Sequence, residues 1–211
     1  MPVGAGPMEV RMTDSLSRLE LLAALLQERG WTIAVAESLT SGAIASELGR
    51  GPEAASWFLG GIVAYASRTK FDILGVSPGP VVSPTAACSM AASAAELFGS
   101  DLTLAATGVG GPGPQSGVAA GTTWLAVRRR DHVETHVFHF SGLPERVIGQ
   151  TVDEAVRLLI RACRGPRDPG RSRTEPGSLT DRPTEPRPVS APVAADLATT
   201  PTWSTDGQSA G

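Results

Sequence analysis

The segment 32–48 constrains the fold more than any other part of the chain, because it changes from a strand pattern to a helix pattern within a few residues. An apolar β-type run stops at Glu37-Ser38, and after a hydroxyl-rich turn the helical spacing begins at Ala43. Such a turn places Ser38 at the carboxyl edge of a sheet, beside the N–H groups of the helix start. Open α/β sheets bind ligands at this edge. The segment therefore predicts either a functional site at Ser38 or a helix cap formed by Ser38 or Thr40.

The rest of the chain repeats this alternation of strand and helix. A first helix is expected from a cap at 13–15 up to Gly30, the residue type favoured just past a helix end. Strands are expected at 32–36, 60–65, 102–106, 122–128 and 133–140, and helices from about Thr40 and at 68–74, 84–98 and 144–163. This order predicts a three-layer α/β/α sandwich. The last two strands predict an antiparallel hairpin within a mixed, mostly parallel sheet.

Both ends of the chain differ from this core. Residues 1–12 have the pattern of a flexible leader and lack the apolar stretch of a secretory signal. From residue 165 onward, about half of the 17 prolines are mixed with Arg, Glu, Ser and Thr without apolar periodicity. Such a segment buries too little apolar surface to offset chain entropy. We therefore expect a folded domain at 13–164 and a disordered tail at 165–211.

Charge and composition argue against several classes of function. The net charge is −3 and no basic stripe is present, so we expect no direct nucleic-acid binding. No apolar run approaches the roughly 20 residues of a membrane-spanning helix, and we expect a cytoplasmic protein. Cys88 and Cys163 lack CxxC spacing, which favours reduced packing residues. His132 and His136 share one strand face while His139 has the opposite parity, so we expect no metal.

Polar residues follow three strands that are predicted to end at one edge of the sheet. Ser38 follows one strand, Tyr65 ends another, and Thr107-Gly108 follows a third, while Lys70 lies in a short helix after Tyr65. A serine becomes a nucleophile when a neighbouring group removes its proton, and a lysine can do so when burial lowers its pKa. A nearby tyrosine would relay the proton, and backbone N–H groups would stabilise an oxyanion.

Each of these residues also has a structural interpretation. Lys70 has the pattern of a solvated helix residue, and Tyr65 that of a partly buried aromatic. The glycine-rich loop 107–114 matches neither GxGxxG followed by a helix nor GxxxxGK[ST], so the sequence supports neither nucleotide motif. We accordingly expect no bound cofactor.

Beyond these single residues, the chain resembles the C-terminal domain of the competence/damage-inducible protein family known as CinA, in its stand-alone nicotinamide-nucleotide amidase form. The resemblance covers about residues 14–163. The matching blocks keep their order and spacing: AESLTSG at 36–42, GIVAYASRTKFDILGV at 61–76, ATGVGGPG at 106–113, GTTWLAV at 121–127 and QTVDEAVRLL at 150–159.

The resemblance implies a hydrolase of pyridine-nucleotide salvage, in NAD metabolism, that converts nicotinamide mononucleotide to nicotinate mononucleotide and ammonia without a metal. By motif, Ser38 would attack the amide carbon, Lys70 would act as base and then acid, and Tyr65 would assist the proton transfer. The ribosyl phosphate of this small-molecule partner would rest on backbone N–H groups, and the family also suggests a homodimer. The pocket would be lined by Glu37, Thr40, Gly42, Thr107 and Gly108.

Three positions depart from the family pattern. The family usually has Cys-Thr-Gly-Gly after the serine, but this chain has a side chain at Ser41, where glycine would allow close approach. Before the last helix the family tends to carry arginines, whereas the aligned positions here hold Pro144 and Ile148, with Arg146 out of register. The alternatives are therefore a non-catalytic CinA-like module that binds a nucleotide or a protein, or an amidase for a non-phosphorylated or differently sized substrate.

Overall fold

The computed structural model describes residues 7–130 and 132–165, and for residues 7–16 only the backbone. Gly165 aside, the expected tail 165–211 lies outside the described residues, and so do residues 1–6 of the expected leader. The described elements are α1 Pro7–Arg29, β1 Ile33–Glu37, α2 Ala43–Leu48, α3 Ala54–Trp57, β2 Phe58–Val63, α4 Ser67–Asp72, α5 Pro84–Phe98, β3 Leu102–Gly108, β4 Thr122–Arg129, β5 His132–His139 and α6 Pro144–Arg164.

The five described strands form one mixed sheet in the order β2-β1-β3-β4-β5. Strand β1 is parallel to both of its neighbours, and the β3–β4 and β4–β5 pairs are antiparallel. The expected mixed sheet and its terminal hairpin are confirmed. The expectation that the sheet is mostly parallel is wrong, because the hairpin adds two antiparallel pairs to the two parallel ones among the described strands. Every residue of β1 is buried, as expected for a central strand covered on both faces.

Helices cover both faces of the sheet and confirm the α/β/α sandwich. On one face, leucines of α1 such as Leu22 and Leu26 pack with Leu159 of α6 and with the sheet. On the other face, the small residues of α5, among them Ala87 and Ala91, pack closely on the strands. Among the described helices, none combines the length and the apolar composition needed to span a bilayer.

Helix α1 begins earlier than the sequence pattern suggested. It starts at Pro7, so residues 7–12 are helical and the expected flexible leader is wrong for them. Proline fits the first turn of a helix, and the five residues that follow it include neither glycine nor another proline, so nothing stops the helix from extending toward the N-terminus. The end at Gly30 is confirmed, and its φ of 61° is the left-handed geometry expected there.

Three further boundaries differ from the expectation, and each is set by tertiary context. Helix α2 begins at Ala43 rather than near Thr40, because the turn before it contains residues with positive φ. Strand β2 ends at Val63, which pairs with Glu37, so the two parallel strands end together and Tyr65 lies beyond them. Strand β3 continues through Gly108, which pairs with Thr123 of β4. The short helix α3 was not expected.

Candidate functional site

A cavity of about 300 Å³ opens beyond the carboxyl ends of β1 and β3. Its walls come from the residues after β1, from the region of α4, from the loop before α5 and from the glycine-rich loop after β3. The cavity brings together the five predicted site residues Ser38, Tyr65, Lys70, Thr107 and Gly108. The other three predicted residues, Glu37, Thr40 and Gly42, are not part of its lining.

Ser38 is held by its backbone at the edge of the sheet. Its N–H donates to the Ala106 carbonyl at 2.9 Å, and its carbonyl accepts from the Ser41 N–H at 3.1 Å, which closes a tight turn. Ser41 and Gly42 have φ values of 50° and 96°, so the chain reverses through two left-handed residues before α2. The turn leaves the largely buried Ser38 side chain in the cavity wall.

Glu37 performs the capping that the sequence offered, as one alternative, to Ser38 or Thr40. Its carboxylate is 1% exposed and accepts backbone N–H bonds from Gly42, Ile44 and Ala45 at 2.9, 3.1 and 2.7 Å. The N-cap residue of α2 is Gly42, without a side-chain cap bond, so a helix cap from Ser38 or Thr40 is wrong for this structure. An anionic group at a helix start is electrostatically favourable. Glu37 therefore fixes the turn that carries Ser38.

Thr40 and Gly42 shape the same turn from positions outside the cavity lining. Thr40 is 2% exposed, and within the described part of the chain its Oγ1 has no hydrogen-bond partner. A Cβ on Gly42 would lie 3.6 Å from Val63 Cγ2, and the positive φ makes any side chain there strained. Their contact with a substrate, like that of Glu37, stays a prediction.

Lys70 is buried in the cavity wall. It lies on α4, is 2% exposed, and its Nζ donates to the Tyr65 carbonyl at 3.0 Å. Burial lowers the pKa of Lys70 from its ordinary value. Within the described residues no carboxylate forms an ion pair with it, so no negative charge offsets the cost of burying its positive charge. The interpretation as a solvated helix residue is wrong.

Tyr65 contributes to the site through two different groups. Its carbonyl orients the Lys70 amine, while its side chain is 69% exposed at the edge of the cavity. The interpretation as a partly buried aromatic is therefore wrong.

The loop after β3 is fixed by close backbone packing. Thr107 Oγ1 donates to the Val81 carbonyl at 2.7 Å and ties the loop before α5 to the end of β3. A Cβ on Gly108 would lie 2.6 Å from the Thr122 carbonyl oxygen, so no side chain fits there. The part of the cavity wall formed by Thr107 and Gly108 is consequently backbone held in one position.

Several backbone N–H groups of the residues that line the cavity have no protein acceptor among the described residues. Among the described residues, the N–H groups of Leu39, Gly110 and Gly111 donate to no protein acceptor. All three residues line the cavity, and Leu39 directly follows Ser38. Backbone donors beside a nucleophile suit the stabilisation of an oxyanion. Sequence reasoning placed such donors in this region without identifying Leu39, because a free N–H has no side-chain signature.

The departures from the family pattern leave the cavity without an arginine among its described lining residues. The aliphatic part of Arg146 folds back on its own turn, with Cδ 2.8 Å from where a Cβ on Gly142 would lie. Pro144 packs beside the glycine-rich loop, 4.0 Å from where a Cβ on Gly111 would lie. Arg146 therefore does not replace the arginines in the lining.

A second cavity, of about 140 Å³, lies where β4 ends and β5 begins, near the end of α6. Glu134 is one of its lining residues and lies 3.2 Å from His132, 3.7 Å from His136 and 3.4 Å from Arg161. Burial and the Arg161 charge lower the pKa of His136. The expected parity of the histidines is confirmed, since His139 instead contacts Thr122.

The two cysteines are free thiols, as expected. Cys163 is buried in α6, and burial raises the pKa of its thiol to about 12. Cys88 lies on α5, and burial raises the pKa of that thiol as well. Neither lines the cavity at Ser38, and raised pKa values disfavour the reactive thiolate.

Comparisons with known proteins agree with the fold and the motifs. The model of the CinA C-terminal domain family matches residues 16–163. A CinA-like protein from Frankia casuarinae is 37% identical over 157 residues, covering 72% of this chain and 36% of that protein. A CinA-like protein from Geotalea daltonii is 36% identical over 147 residues, covering 67% of this chain and 36% of that protein. This chain thus spans little more than a third of the length of the curated relatives that it matches.

Solved structures extend the similarity to three dimensions. A CinA superfamily protein from Klebsiella pneumoniae 700603 superposes with a TM-score of 0.68 at 30% identity, covering 71% of this chain and 97% of that one. A competence or damage-inducible protein from Enterobacter asburiae gives a TM-score of 0.69 at 30% identity, covering 71% of this chain and 98% of that one. These names state a family and no reaction.

Proposed function

The chain belongs to the CinA C-terminal domain family, and from this premise we propose that it is an amidohydrolase in which Ser38 is the nucleophile and Lys70 the base. The substrate implied by the resemblance is nicotinamide mononucleotide, with nicotinate mononucleotide and ammonia as products. The observation that carries the proposal is the burial of Lys70, without a carboxylate partner in the described residues, in the same cavity wall as Ser38.

The first half of the reaction is acyl transfer to Ser38. The neutral Lys70 amine removes the proton from Ser38 Oγ as the oxygen attacks the carboxamide carbon. The oxyanion that forms is held by free N–H groups, with Leu39 the donor adjacent to the nucleophile. The lysine then returns the proton to the departing nitrogen, the C–N bond breaks, and ammonia leaves from an acyl-Ser38 ester.

The second half releases the acid product. Lys70 removes a proton from a water molecule, which attacks the ester carbon. The bond to Ser38 Oγ breaks and the oxygen regains a proton from Lys70. The carboxylic acid product gives its own proton to solvent and leaves as a carboxylate, with the enzyme restored. The Tyr65 carbonyl holds the amine through both halves, and the Tyr65 phenol assists proton transfer at the edge of the cavity.

Ammonia release from nicotinamide mononucleotide by the purified protein tests the proposal. Ser38→Ala should lower the rate by about 10³-fold or more, because it removes the attacking oxygen. Ser46→Ala, which removes an exposed hydroxyl on the neighbouring α2, is the matched control and should leave the rate unchanged. If Ser38→Ala retains the wild-type rate, the serine mechanism is wrong.

A second candidate is a binding module without turnover, favoured by the missing arginine and by free N–H groups that suit a ligand as well as an oxyanion. Isothermal titration of the mononucleotide separates the two functions. Binding that is tight, saturable and accompanied by no ammonia supports the module and contradicts hydrolysis of the mononucleotide.

A further inference from the structure

The charge of the cavity wall is informative about the substrate. Among the described lining residues, Lys70 carries the only ionisable group apart from the exposed Tyr65 phenol; the other lining residues are glycine, proline, apolar, hydroxyl or amide residues. Lys70 acts as a base only when it is neutral. Its burial lowers its pKa, which favours the neutral form. At the start of the proposed reaction, the described wall therefore offers no side-chain cation to an anionic ligand.

The start of α6 does not supply the missing positive charge. Helix N-termini attract phosphate through free N–H groups and the helix dipole. Here the first helical residue beside the glycine-rich loop is Pro144, which has no N–H to donate, and Glu145 adds a negative charge to the first turn. Arg146 in the same turn folds back against Gly142, outside the lining.

The wall offers neutral hydrogen-bonding groups instead. Ser67 and Gln115 contribute a hydroxyl and an amide, and Gly110 and Gly111 contribute free N–H groups. Such groups pair well with sugar hydroxyls, which both donate and accept. A phosphate dianion buried among them would lack the cationic partner that usually offsets its desolvation.

We infer that the substrate is a nucleoside carboxamide that carries a hydroxyl where the nucleotide carries a phosphate, with nicotinamide riboside as the representative. This inference rests on the proposed function, since it concerns the same cavity and the same Ser38 chemistry. It assigns substrate preference to the neutral rim, defined as Gln115 and the glycine-rich loop 107–114 of the lining together with Pro144, which packs beside that loop.

The test compares kcat/KM for nicotinamide riboside and for nicotinamide mononucleotide, each measured by ammonia release from the full chain. The riboside should be favoured by at least about tenfold, which corresponds to about 1.4 kcal/mol. An arginine added at the rim should reverse this preference, because it pairs with the phosphate. Pro144→Arg is the first such variant, and Gln115→Arg is the second if Pro144→Arg does not fold.

Each rim variant should shift the ratio of the two kcat/KM values toward the mononucleotide by about tenfold. Leu97→Arg is the matched control. It adds the same charge at an exposed position near the far end of α5, a helix of 15 residues or about 22 Å. The control should leave the ratio unchanged.

The outcomes distinguish the two proposals. A wild-type preference for the mononucleotide overturns the inference about substrate class and leaves the amidase proposal standing. Ammonia from neither compound overturns the amidase proposal and the inference together. A rim arginine that shifts the ratio no more than Leu97→Arg does also overturns the inference, because the phosphate end would then lie elsewhere.

Discussion

The two cavities of this protein lie at opposite ends of the sheet. They differ in whether their charged side chains are exposed to water and paired with other charges. Around Glu134 several charged side chains contact one another and all are at least partly exposed, so their charges are largely neutralised by neighbours and water. At Ser38 one amine is buried and its only described bond goes to a carbonyl. The first arrangement keeps charged groups at the surface, whereas the second is the arrangement expected of the proposed catalytic base.

The energetic difference supports this distinction. Exposed ion pairs such as Glu134–Arg161 contribute between about 0 and 1 kcal/mol to stability. A buried lysine without a counterion lowers the stability of the folded protein. Its pKa is lowered, so it loses its proton more easily, as a general base must. Perturbed groups in a cavity are candidates for function, and Lys70 is such a group.

The largest expected effect, on the rate of ammonia release, comes from removing the charged group of one residue in each cavity. Lys70→Met keeps the volume of the side chain and should lower kcat for ammonia release by about 10³-fold. Arg161→Met removes a charge from the second cavity and should leave kcat within about twofold of the wild type. Steady-state ammonia assays on both variants measure these values of kcat. Equal losses of kcat would contradict the proposal that only the cavity at Ser38 is catalytic.

The next effect concerns the buried carboxylate beside the nucleophile. Glu37→Ala leaves three helix-start N–H groups without their acceptor and should lower the free energy of unfolding by about 3 kcal/mol or more. Glu96→Ala, which removes an exposed carboxylate on α5, is the control and should cost less than about 1 kcal/mol. Urea denaturation measures both, and a Glu37→Ala protein as stable as the wild type would show that the cap is not needed.

The pH dependence should follow Lys70. Its pKa in the folded protein lies below the 10.5 of a solvated lysine, so in the window between these values the unfolded chain binds more protons. The unfolding free energy of the wild type relative to Lys70→Met should therefore rise with pH through that window. The rate should likewise rise as Lys70 loses its proton, with an apparent pKa below 10.5. If the unfolding free energy of the wild type relative to Lys70→Met fell with pH in this window, the lowered pKa of Lys70 would be contradicted.

The smallest effect is expected at the second cavity. Glu134→Gln keeps the shape of the side chain and removes its charge, so stability should change by less than about 1 kcal/mol and ammonia release should be unaffected. Thermal unfolding at neutral pH checks the first expectation. A loss of several kcal/mol in unfolding free energy would show that the charge of Glu134, although exposed, is as important to the fold as a buried group.

The sequence predicted those parts of the molecule whose signal is local. The strand ending at Glu37, the helix opened by Ser83-Pro84 and the terminal hairpin each have clear periodicity and clear end signals, and all are present. The start of α1 was missed, because Pro7 begins a helix without a distinctive cap. The end of β2 depends on its partner strand, which no local pattern reveals.

The site was predictable in part for the same reason. Ser38, Lys70 and Thr107 were found because each follows or accompanies a strand end. The role of Glu37 was missed, because its carboxylate reaches across the turn to residues five to eight positions later. The burial of Lys70 depends on how α4 packs, and the free N–H groups belong to the backbone, so a pattern of residue types identifies neither.

The adjacency of Glu37 and Ser38 has a consequence for any systematic substitution survey of this protein. One peptide bond joins the residue that anchors a helix to the residue proposed to attack the substrate, and the two side chains have different surroundings. A survey scored by ammonia release alone would record a loss of activity at both positions. At Glu37 the cause would be fewer folded molecules, and at Ser38 it would be lost reactivity. Abundance measured in parallel would separate them, since Glu37 variants should disappear from the soluble fraction while Ser38→Ala accumulates normally.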